Sequence, residues 1–261
     1  MNFLELWLRS FKITLHAEMV YRWNFLFKMI GIILVDIFTP IMVIIIYSLT
    51  NGIPGWSFYE FILLTAIFIT VMGIWHALFS GISWLTTFLV QHGEFDNILV
   101  RPYNTLVYLM TRGVDIEGFG EVLAGIIIML FAISKLSTPI ALINVFYMMA
   151  VVLLALIFTF SMSVIVASLS IRFVKASSLL DLFYHTSDFG KYPIVIYGAS
   201  GVFFFTFIVP FGLAAFYPAQ ALLGKLPFDL FLKLAGVTIV ILFLSLKFWN
   251  HSLKLYSSAG G

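Results

Sequence analysis

The sequence predicts an all-α polytopic membrane protein with six transmembrane helices, an N-terminal interfacial amphipathic helix and broken short helices before the last span. Apolar residues make up 62% of the 261-residue chain and charged residues 10%, whereas a soluble domain carries about 25% charged residues. Three blocks contain no Asp, Glu, Lys or Arg: Phe61 to Gly93, Leu136 to Ile171 and Tyr192 to Gly224. A helix needs about 20 apolar residues to cross about 30 Å of hydrocarbon. Three such blocks in a chain of this length indicate membrane spans rather than a soluble core.

The first residues of the chain, 1–28, are predicted to form the N-terminal interfacial segment. Within it, residues 2–24 place apolar side chains at i, i+4 spacing and charged side chains on another side. The apolar positions are Phe3, Trp7, Phe11 and Leu15, and the polar positions are Glu5, Arg9, Lys12 and His16. This separation is typical of a helix lying along the membrane surface. The alternative is a short soluble helix packed on the protein's own loops.

A six-span transmembrane domain is predicted over residues 29–250. The first four spans run from Met29 to Leu49, from Glu60 past Trp84, from about Ile116 to Leu136, and from about Ile140 to Ile171. The third span is the weakest, because carboxylates stand in its first turns. They are Asp115, Glu117 and Glu121.

The stretch from Pro193 to Pro227 is too long for one span and too short for two. Pro210 and Pro218 interrupt it, and proline breaks helical hydrogen bonding. We expect a fifth span to about Pro210, a broken segment at 211–228 and a last span over about 229–250. Non-helical backbone at membrane depth must be buried in protein or line a wet cavity. The broken segment is therefore either a re-entrant element or an extracellular cap.

Two polar segments, 91–106 and 172–193, are predicted to be cytoplasmic loops. In this arrangement eleven of the fourteen Lys and Arg residues fall on the same side as both termini, and three fall on the other side. Positive charge is retained on the cytoplasmic side of a membrane. The sequence thus predicts a multi-pass protein of the cell inner (plasma) membrane, with both termini cytoplasmic and a C-terminal tail at 251–261.

Motifs that carry chemistry are scarce in this chain. No G-x-x-x-x-G-K-[ST] segment is present to cradle ATP phosphates, and no histidine spacing predicts a metal site. The sequence has no cysteine, no nucleophile with an adjacent base and no basic cluster for nucleic acid. We therefore expect no catalytic residue, cofactor or metal on this chain, and no nucleic-acid partner.

Two ionisable residues, Asp36 and His76, fall well inside predicted spans. An intramembrane carboxylate is costly and by default suggests a function. Alternatively, Asp36 lies near the cytoplasmic third, paired with a basic residue or in reach of water. His76 is either hydrogen-bonded within the bundle or a ligand or proton relay. The candidates for a pathway or gate are Asp36, His76, Pro210, Tyr217 and Pro218.

Three segments carry a resemblance to a known family. GEFDNILVRPYNTL (93–106) is similar to the first cytoplasmic loop of bacterial ABC-type exporter permeases of the type-2 class, and YPIVIYGASGVFFFTFIVPFGLAAFYPAQALLG (192–224) to their later span with its Tyr-Pro-Ala pattern. LKLYSSAGG (253–261) resembles the end of one branch of uncharacterised permeases. The resemblance implies six spans, an interfacial helix and short helices before the last span. It also implies a dimer of two like or unlike permease chains, which recruits two separate ABC ATPase subunits that hold ATP and Mg.

The resemblance makes 91–106 the element that couples the permease to those ATPases. A small helix there would carry ATPase motion into the membrane, Glu94 and Asp96 would present charge to the partner, and Arg101-Pro102 would end the helix, since the residue before proline avoids the α region. The predicted coupling residues are Gln91, Glu94, Phe95, Asp96, Leu99, Arg101 and Pro102. The alternative is a solvated loop that Arg101 anchors at the lipid headgroups.

Taken together, these features predict the non-enzymatic permease subunit of an ATP-driven exporter, embedded in the lipid bilayer and working by alternating access. An ion-coupled secondary transporter is the chief alternative, and it would need an ion site near the midplane and internal repeats. A non-transporting membrane scaffold would need no ATPase partner.

Overall fold

A computed structural model describes residues 3–50, 52–137, 139–173 and 177–257, and regular structure there is helical apart from one isolated β-bridge. The α-helices are α1 (Phe3–Val20), α2 (Arg22–Leu49), α3 (Phe58–Leu78), α4 (Ser80–Gln91), α5 (Asp96–Leu99), α6 (Thr105–Arg112), α7 (Glu117–Lys135), α8 (Leu142–Arg172), α9 (Ser177–Ser187), α10 (Gly198–Phe203), α11 (Phe216–Leu222) and α12 (Phe228–Lys254). The 3₁₀ turns are Asp188–Lys191, Ile194–Tyr197 and Phe211–Ala214, and Phe204–Ile208 forms a π-helical turn.

Four helices within the described residues are long and apolar enough to cross a membrane: α3, α7, α8 and α12. A fifth crossing is added if the bent pair 178–191 and 194–208, with 109° between its arms, counts as one span. The predicted first span lies inside α2, a helix of 28 residues; several of its side chains lie outside the described residues, and α2 is not counted among these crossings. The all-helical membrane fold is confirmed, and six spans stay a prediction.

The N-terminal segment is divided differently from the prediction. The first helix ends at Val20, and α2 begins at Arg22, so the helix predicted at 2–24 is really two helices that meet at Tyr21. The Phe11 ring of α1 packs edge-on against Phe119 of α7, with ring centroids 5.5 Å apart. The helix α1 thus rests on the spans at one side and exposes Ile13 to its surroundings.

The centre of the molecule is α3, the most deeply buried of the candidate spans. It crosses α7 where Gly73 meets Gly118. A Cβ at Gly118 would lie 2.4 Å from the Ala77 nitrogen and 2.6 Å from the Gly73 oxygen. Glycine at this crossing lets the two backbones come together, as small residues do between membrane helices. The second span predicted to continue past Trp84 is broken at Phe79, where α3 ends and α4 begins.

The segment predicted as a second polar loop, 172–193, is mostly helical where the structure describes it, and its place as a cytoplasmic connection stays a prediction. The helix α9 and the following turn lie beside α3. Phe183 packs on Trp75 at 5.1 Å between ring centroids, and the Lys191 ammonium lies 5.9 Å from the centroid of the Phe68 ring. The fifth span predicted to reach Pro210 is instead the short arm 194–208 of the bent pair. The polar side chains that suggested a loop belong to a packed helix.

The segment before the last span, 211–228, contains a 3₁₀ turn and α11, so the broken short helices are confirmed. Residues 211–222 are buried or nearly so and pack against α3 and α8, whereas Lys225 and Phe228 are exposed. The Phe211 ring lies 5.4 Å from Phe158 in the middle of α8, and this contact favours a re-entrant element over a cap. Pro218 does not interrupt the chain as predicted. It stands in the first turn of α11, where proline is tolerated because its missing N–H has no intrahelical acceptor.

Candidate functional site

The first candidate site is the coupling segment, residues 91–106. Helix α4 ends at Gln91, and the chain then reverses through Gly93, whose φ of +69° lies in the left-handed region that glycine tolerates. The short helix predicted here is confirmed as α5, and it ends before Arg101-Pro102 as expected. Asn104 then caps α6, because its side-chain oxygen accepts hydrogen bonds from two backbone amides of the next helix, at 3.0 and 3.3 Å.

Two apolar side chains fix the coupling segment to the rest of the molecule. Phe95 is fully buried, and Ile98 is nearly so. They enter a second hydrophobic cluster, separate from the main core, that collects side chains from the ends of several long helices. Its other members include Leu89 of α4, Leu109 of α6, Val164 and Ala167 of α8, and Trp249 of α12. The segment is therefore a packed element rather than a solvated loop, although it contains only one turn of helix.

The opposite side of the coupling segment is exposed. Gln91, Glu94, Leu99, Arg101 and Pro102 all face outward, together with Val100, which is 83% exposed. The Arg101 guanidinium lies 4.9 Å from the centroid of the Tyr108 ring, so this cation is held against α6. The predicted coupling residues thus divide into an inner anchor, Phe95, and an outward surface.

Asp96 belongs to neither group. Its side chain is half-buried and interacts electrostatically with Tyr256 in the C-terminal tail. Burial, together with the Asp96 carboxylate, raises the pKa of the Tyr256 hydroxyl. The proposal from sequence that Asp96 presents its charge to a partner therefore competes with an internal contact, whereas the Glu94 side chain is exposed.

The second candidate site is a cleft between α2, α3 and α9, which we call the charged cleft. It has a volume of about 440 Å³. A second cavity of about 480 Å³ adjoins it towards α1 and the connector before α7. Both cavities are lined by Lys28, Ile32, His76, Glu117, Glu121 and Tyr184.

Ion pairs line the charged cleft at successive levels. The Lys28 ammonium lies 3.2 Å from a Glu117 carboxylate oxygen and 3.7 Å from one of Glu18. His76 Nδ1 is 2.7 Å from Glu121 Oε2, and the Lys191 ammonium is 2.7 Å from Asp188 Oδ1. The cleft is apolar between these levels, with Phe68, Ile69 and Met72 on its wall. Such a wall can contact both the apolar and the charged parts of a molecule in the cleft.

Among the described residues, the others singled out in the sequence are not brought to this cleft. The side chain of Asp36 lies outside the described residues. Tyr217 is buried in the main core, where its hydroxyl shares a hydrogen bond with the Thr206 hydroxyl, and neither it nor Pro210 or Pro218 lines the two cavities. Of the proposed pathway residues whose side chains the structure describes, His76 alone lines the cleft, and it is hydrogen-bonded to Glu121.

Sequence reasoning missed most of the charged cleft. Glu117 and Glu121 weaken the prediction of the third span, but an acid at the start of a span is itself a functional signal. Their i, i+4 spacing places both on one helix face. The partners Lys28 and His76 come from other helices, so their pairing follows from tertiary packing.

Burial raises the pKa of Asp115, on the connector before α7, although the Glu117 amide donates a 2.9 Å hydrogen bond that lowers it. Within the described residues, no group of three or more His, Cys, Asp or Glu side chains is arranged to hold a metal ion.

Comparison with known proteins gives one match. The family model described as "ABC-2 family transporter protein" matches residues 32–260, most of the chain. No curated protein and no solved structure matches the sequence.

Proposed function

Because the chain belongs to the ABC-2 transporter family and is therefore a membrane-embedded permease component of an ABC transporter, we propose that it moves a substrate outward by alternating access. A separate ABC ATPase subunit, which binds ATP and Mg, supplies the energy. The permease itself hydrolyses nothing, and it works as a dimer with a second permease chain, like or unlike. It lies in the plasma membrane with both termini in the cytoplasm.

The observation that carries this proposal is the construction of the coupling segment. A partner that drives a membrane protein must push on something rigid, and a solvated loop would absorb the displacement. Phe95 and Ile98 tie this segment to a cluster shared by α4, α8 and α12. The side chains of Leu99 and Val100 are exposed on the outward side. We assign this exposed side to the ATPase, with Glu94 at its rim.

We assign the charged cleft to the inner surface of the substrate pathway. The helix α2 contributes Lys28 to the cleft, whereas Glu117 comes from α7, so displacement of α2 would separate that pair. His76 and Glu121 join α3 to α7, which pack closely through their glycines. Displacement of α2 would thus open the cleft at the Lys28–Glu117 pair while the His76–Glu121 pair stays closed. Paired charges in an otherwise apolar wall fit a substrate with both polar and apolar parts.

The His76–Glu121 pair also favours a second candidate function, an ion-coupled secondary transporter. A histidine paired with a carboxylate inside a membrane domain could carry a proton. The two functions differ in energy source. Transport that stops when ATP is withdrawn, and continues when the proton gradient is collapsed, supports the ATP-driven exporter. The reverse result supports the secondary transporter.

Assembly with the ATPase tests the coupling segment directly. We would express the full-length chain with its ATPase and replace the exposed apolar pair, Leu99→Asp with Val100→Asp. Two charges in an apolar contact should abolish co-purification, while membrane insertion should survive because the segment lies outside the spans. The matched control is Leu255→Asp, a cytoplasmic apolar residue that is 57% exposed. Equal co-purification of both variants would contradict the assignment.

A further inference from the structure

We propose that the inner end of α12, through Trp249 and Tyr256, positions the coupling segment, so that this segment and the last span move as one body. The inference rests on the proposed function of the coupling segment. It adds that the motion of the ATPase reaches the last span, α12, as well as the coupling segment. Tyr256 is a positioning residue in this scheme, because it acts through Phe95 and touches neither substrate nor nucleotide.

The contact itself is well defined. The Tyr256 ring meets the fully buried Phe95 ring edge-to-face, with centroids 5.3 Å apart and an interplanar angle of 74°. This is a preferred arrangement for two aromatic rings, because the positive edge of one meets the negative face of the other. The Asp96 carboxylate stands beside the hydroxyl of the same tyrosine. The coupling segment therefore meets the tail through the Phe95–Tyr256 ring contact, with the Asp96 charge acting on the same tyrosine.

The path of the chain after α12 explains how Tyr256 reaches this position. Helix α12 ends at Lys254, and the next amides still donate to it, from Leu255 to the Ser252 carbonyl at 3.2 Å and from Tyr256 to the Leu253 carbonyl at 3.4 Å. These i→i−3 bonds extend α12 by one tightened turn, which carries Tyr256 just beyond the helix end. Trp249, about two helical turns before Tyr256, is buried in the same cluster as Phe95 and Ile98.

The packing of α12 indicates why this contact matters for motion. Along most of its length α12 is exposed, and its buried residues form one stripe: Leu234, Thr238, Ser245, Trp249 and Ser252. The stripe faces mainly α8. Beyond that seam, the end of α12 shares a hydrophobic cluster with the coupling segment through Trp249, and the Tyr256 ring that follows it meets Phe95. Displacement of the coupling segment would therefore be transmitted through this contact to the end of the last span.

The test compares three variants of the full-length chain in complex with its ATPase: Tyr256→Ala, Tyr256→Phe and, as matched control, Leu255→Ala. Because the chain has no cysteine, a nitroxide on Val100→Cys reports the mobility of the coupling segment without the ATPase. Loss of the ring in Tyr256→Ala should mobilise the nitroxide and lower the permease-dependent rate of ATP hydrolysis about fivefold. Tyr256→Phe keeps the ring and should restore both readouts, and Leu255→Ala should change neither.

The inference is overturned if Tyr256→Ala leaves the nitroxide as ordered as in the control. It is also overturned if Tyr256→Phe fails to restore order. A reciprocal test uses Phe95→Leu. If Phe95 and Tyr256 act through one contact, the double variant Phe95→Leu with Tyr256→Ala should be no slower than the slower single variant. Multiplying effects would contradict a shared contact. If the unmodified chain forms no complex with an ATPase, the proposed function fails, whereas the nitroxide readout still decides the role of Tyr256.

Discussion

Truncation of the anchor residue, Phe95→Ala, should release the coupling segment while the membrane domain stays folded. Phe95 is fully buried against side chains from four helices. Replacing a buried phenylalanine by alanine costs about 3–5 kcal/mol, because apolar contacts are lost and a cavity remains. The segment is a small element with one other buried anchor, Ile98, so this loss should appear as local opening rather than global unfolding.

The size of the effect follows from that free energy. Each 1.4 kcal/mol changes an equilibrium tenfold, so a loss of about 3 kcal/mol should raise the local opening constant about a hundredfold. Hydrogen exchange measures this quantity for the amides of Leu99 and Val100, which donate to the Phe95 and Asp96 carbonyls. Peptides from α3 serve as an internal reference within the same sample.

The matched control is Val100→Ala, in the same segment but 83% exposed. A surface truncation of this kind changes stability by about 0.5 kcal/mol or less, so exchange should change by no more than a few-fold. Equal exchange in Phe95→Ala and Val100→Ala would refute the anchoring role. Faster exchange spreading equally through α3 would show that the segment does not open independently.

Three further predictions concern the membrane domain. Gly118→Ala should force α3 and α7 apart and cost about 1–3 kcal/mol by overpacking, which would be measured as a loss of monodisperse protein. The control is Gly236→Ala, because an added methyl group there would meet no heavy atom within 4 Å, and this variant should behave as wild type. Equal yields of the two variants would contradict the close crossing of α3 and α7. Asp115→Asn should gain stability over wild type as pH rises, because the folded state holds the Asp115 proton more tightly than the unfolded state; a difference in unfolding midpoint that is constant with pH would exclude this. Single cysteines at Ser137 and Asn104, both exposed, should react with an impermeant maleimide from outside and only from inside, respectively, and outside labelling at Asn104 would overturn the topology.

Amino-acid composition along the chain was sufficient to predict most of the membrane spans. The helices α3, α7, α8 and α12 follow from charge-free or nearly charge-free blocks, because hydrocarbon excludes unpaired charge. Prolines located the broken stretch before α12, although Pro218 begins a short helix rather than ending one. These features depend on local sequence alone, and that is why the sequence was informative.

The helix α9 shows where that reasoning stops. Its following turn carries Asp188 and Lys191, and a window that counts charges treats them as a loop. In the fold these two side chains pair with each other at 2.7 Å and lie beside α3. Both side chains stay partly exposed, 32% for Lys191 and 54% for Asp188, so the pair lies at the edge of the packed region, and a charge count cannot detect that packing.

The candidate site was predictable in the same partial way. The resemblance located the coupling segment, and Pro102 located the end of its short helix. The inward side of that helix depends on Tyr256 and Trp249, more than 150 positions away along the chain. No spacing rule links residues so far apart. The charged cleft is likewise assembled from four helices, so its pairs emerged only with the tertiary structure.

One measurement tests the central claim most directly, namely that an ABC ATPase docks on the outward side of the coupling segment. A photo-crosslinking amino acid placed at Val100 should form an adduct in membranes whose peptides, sequenced by mass spectrometry, come from an ATPase with a P-loop. The same probe at Leu255, which is 57% exposed on the C-terminal tail, should form no such adduct. An intact permease–ATPase complex that yields no adduct from Val100 would contradict this account.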